Sequence, residues 1–204
     1  MITTFYHLLI LTHSLAIIVL VYYKYKDTNE RRDMKIEQNI ETSRMILRSY
    51  QKDDRAFCIS LWCDPENGKY MSDPTVDCLN ENYIKYFDKM EYEQDGYYLI
   101  ATDKVTGKAI GTCCLFQEEG NYDIGYCISK HHWKKGLGSE LIQALIEFAR
   151  ELGGQSLTAE VADKNVASVK LLKKFGFEAY KVASFKKWNS DVSFDSQFYK
   201  MDLV

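Results

Sequence analysis

The run Gly125-Tyr-Cys-Ile-Ser-Lys-His-His-Trp-Lys-Lys-Gly-Leu-Gly-Ser-Glu140 constrains this chain more than any other. A short apolar strand feeds a turn with two glycines, and that turn opens an amphipathic helix. Unpaired N–H groups at a helix start point outward at the positive end of the helix dipole, so they converge where an anion can sit. Gly136 and Gly138 leave the backbone bare there, while Lys134 and Lys135 add positive charge. The unit reads as a pyrophosphate cradle. Its rival is an ordinary strand-to-helix connection with two surface lysines, and spacing alone does not separate the two.

The downstream pattern favours the cradle. Leu137, Leu141, Leu145, Phe148 and Leu152 recur at helical spacing, and Gly153-Gly154 closes that helix. Gln155 to Val161 reads as a buried strand, and a second helix carrying Val169, Leu172 and Phe175 stops at Gly176. A Walker loop is excluded, because no Gly-Lys-Ser/Thr occurs. A dinucleotide fingerprint fails as well, because Gly136-Leu-Gly138 runs on into Ser139, Glu140 and Leu141.

From Asn121 to Tyr180 the chain resembles the GCN5-related N-acetyltransferase (GNAT) superfamily, and within it the ribosomal-protein-alanine acetyltransferase branch. The resemblance rests on Ile124-Gly125-Tyr126, on Trp133 to Glu140, on Asn165 to Ser168 and on Gly176-Phe177. Glu41 to Arg48 looks like the family's first strand, and Asp64-Pro65-Glu66 sits where its first helix usually ends, so the likeness spans about Glu37 to Leu203. It implies a mixed α/β (α+β) fold, a splayed central sheet with helices on both faces. It also implies that strands 122–128 and 156–161 part to admit acetyl-CoA. The main chain around Ile128 would pair with the pantetheine arm. The turn Trp133, Lys134, Lys135, Gly136, Leu137, Gly138 and Ser139 would hold the pyrophosphate. Asn165 would be a further contact on the arm, and it reads equally well as a helix N-cap. One departure stands out: Lys134 occupies a place where the branch usually has glycine.

With 204 residues, a net charge of −3 and 46% apolar content, the chain has room for one compact domain and an extension. No basic stripe suggests a nucleic-acid partner. Six cysteines (Cys58, Cys63, Cys78, Cys113, Cys114 and Cys127) form no C-x-x-C pair and no zinc spacing, so no metal is expected. Most lie in apolar runs and read as buried thiols of a reducing compartment.

Residues 1–33 differ in character from the catalytic domain expected over 34–204. Phe5 to Tyr23 carries no formal charge, and Lys24, Lys26, Arg31 and Arg32 follow it. Read as a membrane anchor, that segment places the rest of the chain in the cytoplasm by the positive-inside rule. The other reading is a genuine start at Met34, with the upstream segment an artefact of gene assignment. Both stay open at this stage.

The expected order is a strand at Met45–Arg48, helices at Asp53–Trp62 and Val76–Met90, and strands at Tyr97–Thr102, Lys108–Phe116 and Tyr122–Ile128. The cradle helix, the strand Ser156–Val161, the helix Val166–Phe175 and two closing strands complete it.

Moving an acetyl group to an amine requires holding the donor, removing a proton and stabilising both oxyanion and thiolate. Alkyl amines titrate near ~10, so a base must act at neutral pH. Asp123 and Glu160 lie on the two strands flanking the split and are the candidate carboxylates, each weighed against a plain solvated charge. Many superfamily members place a tyrosine on the later helix to protonate the thiolate, but Leu171-Leu172 stands there. The branch resemblance instead points to Ser168. Glu140, in the first helical turn, reads as structural.

The expected function is acetyl-CoA-dependent N-acetylation by direct transfer, in a monomer or homodimer. The acceptor is a protein N-terminus or a small-molecule amine. Rival classes are a non-catalytic acyl-CoA-binding module and a membrane-tethered interaction protein. A closed aromatic pocket built from Tyr70, Tyr83, Tyr86 or Trp188 would favour a small acceptor, and an open groove a peptide.

Overall fold

The computed structural model describes residues 34–203, apart from 76, 78, 93–95 and 119. The hydrophobic span 5–23, the basic stretch after it and Cys78 lie outside the described residues. Among those that are described, no helix is long and apolar enough to cross a membrane.

One eight-stranded sheet organises the chain. Its strands are β1 (Ile40–Glu41), β2 (Met45–Ser49), β3 (Gly96–Asp103), β4 (Ala109–Glu118), β5 (Asn121–Ile128), β6 (Ser156–Ala162), β7 (Glu178–Lys186) and β8 (Ser193–Asp202). Their spatial order is β1-β2-β3-β4-β5-β6-β8-β7. All neighbours run antiparallel except β5 and β6, which are parallel and are joined by the crossover helix α3 (Leu137–Glu151). The other helices are α1 (Arg55–Trp62), α2 (Glu81–Tyr92) and α4 (Val166–Lys174).

Alternation along the strands sorts the core into two layers. Leu99 and Ala101 of β3, with Tyr122, Ile124 and Ile128 of β5, pack with Leu141, Leu145 and Phe148 of α3 and Leu172 of α4. Ile100, on the opposite side of β3, packs with Cys58 of α1 and with Tyr83, Phe87 and Met90 of α2. The apolar stripe of α3 is therefore what fastens the cradle helix, since burying a leucine such as Leu141 or Leu145 is worth about 2 kcal/mol.

The expected order of elements holds, with one difference in detail. Residues 41–48 form a two-strand hairpin rather than one strand, because the Thr42 N–H bonds the Met45 carbonyl and the Thr42 hydroxyl accepts the Met45 N–H, which turns the chain. The second α-helix is described from Glu81 to Tyr92. The Asn80 side chain accepts the Tyr83 N–H at 3.0 Å and caps the helix there.

Candidate active site at the split between two parallel strands

Strand β5 pairs with β4 through eight successive rungs but with β6 through only two, Tyr122↔Leu157 and Asp123↔Thr158. Beyond Asp123 the parallel strands diverge, leaving one edge of Ile124 to Ile128 unpaired. The Ser129 N–H bonds the Ile110 carbonyl at 2.8 Å, so alternation turns the Ile128 N–H and C=O away from β4 and into the split. That carbonyl accepts the Trp133 indole N–H at 2.6 Å and the Asn67 amide at 2.9 Å. Trp133 is thus pinned by its nitrogen while its ring stays 42% exposed.

The turn after Trp133 has the geometry of an anion cradle. Lys134 sits at φ 59° and Gly136 at φ 79°, two left-handed residues that curl the backbone before α3 begins at Leu137. Lys134 adopts that conformation at a cost of about 1 kcal/mol, which gives a physical reason for the usual glycine. Leu137 turns its side chain into the core, so only its backbone N–H is available to a ligand. Gly138 serves helix packing: a Cβ there would lie 3.2 Å from Leu171 Cδ2, so its bareness lets α4 approach α3. Ser139 accepts a hydrogen bond from Lys174 of α4 at 3.1 Å. Lys134 and Lys135 are exposed at the rim.

Arg44, in the β1–β2 turn, ties onto the candidate cradle turn, and sequence reading missed it. Its Nη1 donates to the Lys135 carbonyl at 2.7 Å, while Nε and Nη2 each reach Glu140 Oε2 at 2.7 Å. Glu140 also accepts from the hydroxyls of Thr42 and Ser43 and from the Arg44 N–H. Burial pushes its carboxyl up, but the bonds from Thr42, Arg44 and Ser43 outweigh it and hold the group at about 2. The structural reading of Glu140 is borne out, though its partners are a distant turn as well as the helix dipole.

At the inner end, Asn165 caps α4 by accepting the Ser168 N–H at 3.3 Å. Beside Ser168 stands Tyr126 of β5, whose hydroxyl is buried with no hydrogen-bond partner. Burial pushes this phenol up to about 12, and the neighbouring Ser168 pulls it partly back. The two hydroxyls thus meet at the split. Tyr126 was legible only as part of the Ile-Gly-Tyr run; its pairing with Ser168 brings residues 42 apart together.

The other face of the sheet holds both candidate carboxylates. Asp123 accepts the Thr158 hydroxyl at 2.7 Å, just where the strands begin to part. Glu160 accepts the Ser196 hydroxyl of β8 at 2.5 Å. On this face a cavity of about 180 Å³ lies between α1, α2 and the sheet, reaching the Gly125–Cys127 stretch of β5. Its wall includes Tyr50, Trp62, Met71, Met90, Tyr98 and Phe116, and Asp73 is the one charged side chain among its described lining residues. Of the aromatic residues expected at a closed pocket, Tyr83 and Trp188 stand behind Asp73 rather than in the lining, their rings 6.0 Å apart.

The roof of the cavity is fastened by Lys187. Its buried ammonium donates to the carbonyls of Gly68, Met71 and Asp73 at 2.7, 2.9 and 3.0 Å, and the Trp188 N–H bonds the Ser72 carbonyl. Desolvation lowers the Lys187 pKa and Asp73 partly restores it. Asn67 does similar work nearby, joining the Ile128 carbonyl to the Lys130 N–H. Cys58, Cys63, Cys113, Cys114 and Cys127 are thiols in no disulfide. Burial pushes Cys127, at the cavity floor, up to about 12, so it is a neutral thiol there. No cluster of side chains able to hold a metal occurs among the described residues.

A family model described as an acetyltransferase (GNAT) domain matches residues 44–178. The chain belongs to the GNAT acetyltransferases. This GNAT enzyme is 31% identical over 147 residues to "Uncharacterized N-acetyltransferase p20" of Bacillus licheniformis, covering 69% of this chain and 83% of that one. It is 26% identical to "Uncharacterized N-acetyltransferase YoaA" of Bacillus subtilis over 79% of this chain and 95% of the relative. Its fold matches a GNAT-family acetyltransferase from Bacillus anthracis at a TM-score of 0.67 and 18% identity, over 81% of this chain and 99% of the other. A spermidine N-acetyltransferase from Vibrio cholerae, solved with CoA and spermine, matches at 0.67 and 17%, over 79% and 96%. The superfamily expected from the sequence is confirmed, as is its splayed mixed sheet with helices on both faces.

Proposed function

We propose that this GNAT enzyme moves the acetyl group of acetyl-CoA directly to a primary amine in a ternary complex, with no covalent enzyme intermediate. The two-rung pairing of β5 with β6, beside a left-handed turn rich in outward N–H groups, is the observation that carries this reading. The likeness to a Vibrio cholerae enzyme solved with CoA and spermine supports it. In this reading the pyrophosphate lies on the amides of Lys135 to Ser139, with Arg44, Lys134 and Lys174 supplying charge around it. The pantetheine arm pairs with the main chain of Ile128, and its open position there is the N–H, because the carbonyl already holds Asn67 and Trp133.

Transfer begins as the amine nitrogen bonds the acetyl carbon and ends as the C–S bond breaks toward sulfur. The nitrogen's proton leaves on the acceptor face, toward Asp123 or Glu160, directly or through water. Ser168 and the unpartnered Tyr126 hydroxyl sit where the thiolate develops, and each donates a hydrogen bond that strengthens as charge reaches sulfur. Neutral Cys127 is unsuited to form an acyl-enzyme.

Release of free thiol from acetyl-CoA, read against a panel of amines and N-terminal peptides, tests the proposal. Amine-dependent release is the expected result. Tight CoA binding with no release across the panel would leave an acyl-CoA-binding module as the better reading.

A further inference from the structure

Resting on that reading of the donor's place, we infer that Asn67 is a positioning residue for acetyl-CoA. Its carboxamide replaces one residue of the neighbour that β5 loses where β6 diverges. It thereby ends the stretch of β5 on which the pantetheine arm can pair.

The argument starts from which backbone groups the split leaves open. Ser129 donates to Ile110 in the register of the β4–β5 ladder, so Cys127 and Gly125 also turn their N–H and C=O groups toward β4. Tyr126 and Ile128 turn theirs the other way, into the split. Register with β6 has already ended upstream, at Asp123↔Thr158.

The Asn67 carboxamide meets β5 at the far end of that gap. It donates to the Ile128 carbonyl at 2.9 Å and accepts the Lys130 N–H at 2.9 Å. A carbonyl at one residue and an N–H two residues on are the pair of groups that a single residue of a parallel neighbour engages. Filling both at once needs one side-chain group that donates and accepts, as a carboxamide does; an ionised aspartate only accepts, and leucine does neither. The same two bonds fix which way round the amide lies, because Lys130 offers a hydrogen and Ile128 a lone pair. With the Trp133 indole on its other lone pair, the Ile128 carbonyl is closed to a ligand. The open strip is therefore the N–H and C=O of Tyr126 and the N–H of Ile128. An arm that starts at Ile128 runs inward past Tyr126, toward the hydroxyls of Tyr126 and Ser168.

Asn67 is itself held on both flanks. The Asp64 carboxylate accepts the Asn67 N–H at 2.8 Å and the Lys130 ammonium at 2.8 Å, which ties this loop to the end of β5 a second time. On the other flank, Gly68 donates to the Asp64 carbonyl and gives its own carbonyl to Lys187 at 2.7 Å. A loop fastened on both sides presents the carboxamide in one geometry before the donor arrives, as a positioning role requires.

Calorimetry with two ligands tests this: CoA, and adenosine 3′-phosphate 5′-diphosphate, which is CoA without its arm. Asn67→Ala should weaken CoA roughly 10-fold, since a carbonyl and an N–H lose their partner and the ligand must then order the strand end. The arm-free nucleotide should stay within about 2-fold of its wild-type affinity. A merely structural role weakens both ligands alike; that result, or unchanged CoA affinity, overturns the inference. Should Asn67→Ala fail to fold, amide hydrogen exchange in the wild-type protein decides. Lys130 should be protected before CoA is added and no more so afterwards, while Tyr126 and Ile128 gain protection. Protection at Lys130 that arises only with CoA puts the arm beyond the proposed stop and overturns the inference. A wild type that binds both ligands equally refutes the pairing of the arm on β5, and the role of Asn67 with it. A wild type that prefers CoA, beside a variant that loses both ligands, refutes Asn67 alone.

Discussion

Replacing Glu140 by glutamine should weaken the protein in a way that depends on pH. The carboxylate gathers Thr42, Ser43 and Arg44 onto the first turn of α3, and its pKa falls from 4.5 to about 2. That drop sets a ceiling of about 3 kcal/mol, at ~1.4 kcal/mol per pH unit. The Glu140 side chain is 14% exposed, but its partner Arg44 is 49% exposed, and solvent screening reduces the figure to about 1–2 kcal/mol. The sign follows from a folded-state pKa below the unfolded one. The stabilisation is fully present above 4.5, shrinks as pH falls, and is gone once pH drops through about 2. Urea unfolding of wild type and Glu140→Gln at pH 7 and at pH 3 measures it. A gap of about 1–2 kcal/mol at pH 7 should narrow at pH 3, because by then Glu140 of the unfolded wild type has taken up a proton that the folded state still largely lacks, while the variant has no group there to titrate. Parallel decline of both proteins would refute the account. Because Arg44 also grips the Lys135 carbonyl, CoA affinity should fall in the variant even where it remains fully folded.

Other consequences are as direct. Gly136→Glu should abolish CoA binding in calorimetry, since it forces a side chain into a left-handed position and sets a carboxylate against the pyrophosphate. Tyr126→Phe and Ser168→Ala should each lower kcat about 10-fold or more with CoA affinity nearly unchanged, and normal turnover in both would remove them from the thiolate's surroundings. Lys187→Met leaves three carbonyls without their donor and should cost about 1–3 kcal/mol in unfolding free energy.

What the sequence made legible was local in the chain. The strand, the turn with Gly136 and the stripe of α3 occupy consecutive residues, so periodicity and backbone chemistry identified them together. Asn165 as a cap and Glu140 as a structural group followed from position on a helix. The remainder depends on contacts between distant residues. Arg44 reaches Lys135 and Glu140 across more than ninety positions, and Lys187 fastens a loop more than a hundred residues upstream. Asp73 lies in a polar loop with no motif around it, and only the folded arrangement places it against an aromatic wall. Gly138 was assigned to the ligand, yet helix packing against Leu171 explains its bareness as well.

The Ile128 carbonyl has one more implication. An sp² oxygen has two lone pairs, and here an indole and a carboxamide take both. The end of β5 is therefore a rigid template before anything docks on it, its disorder surrendered when the chain folds rather than when the donor arrives. Association with CoA should accordingly carry little penalty for ordering this strand, and relaxation measurements at Ile128 should read the same with the site filled or empty.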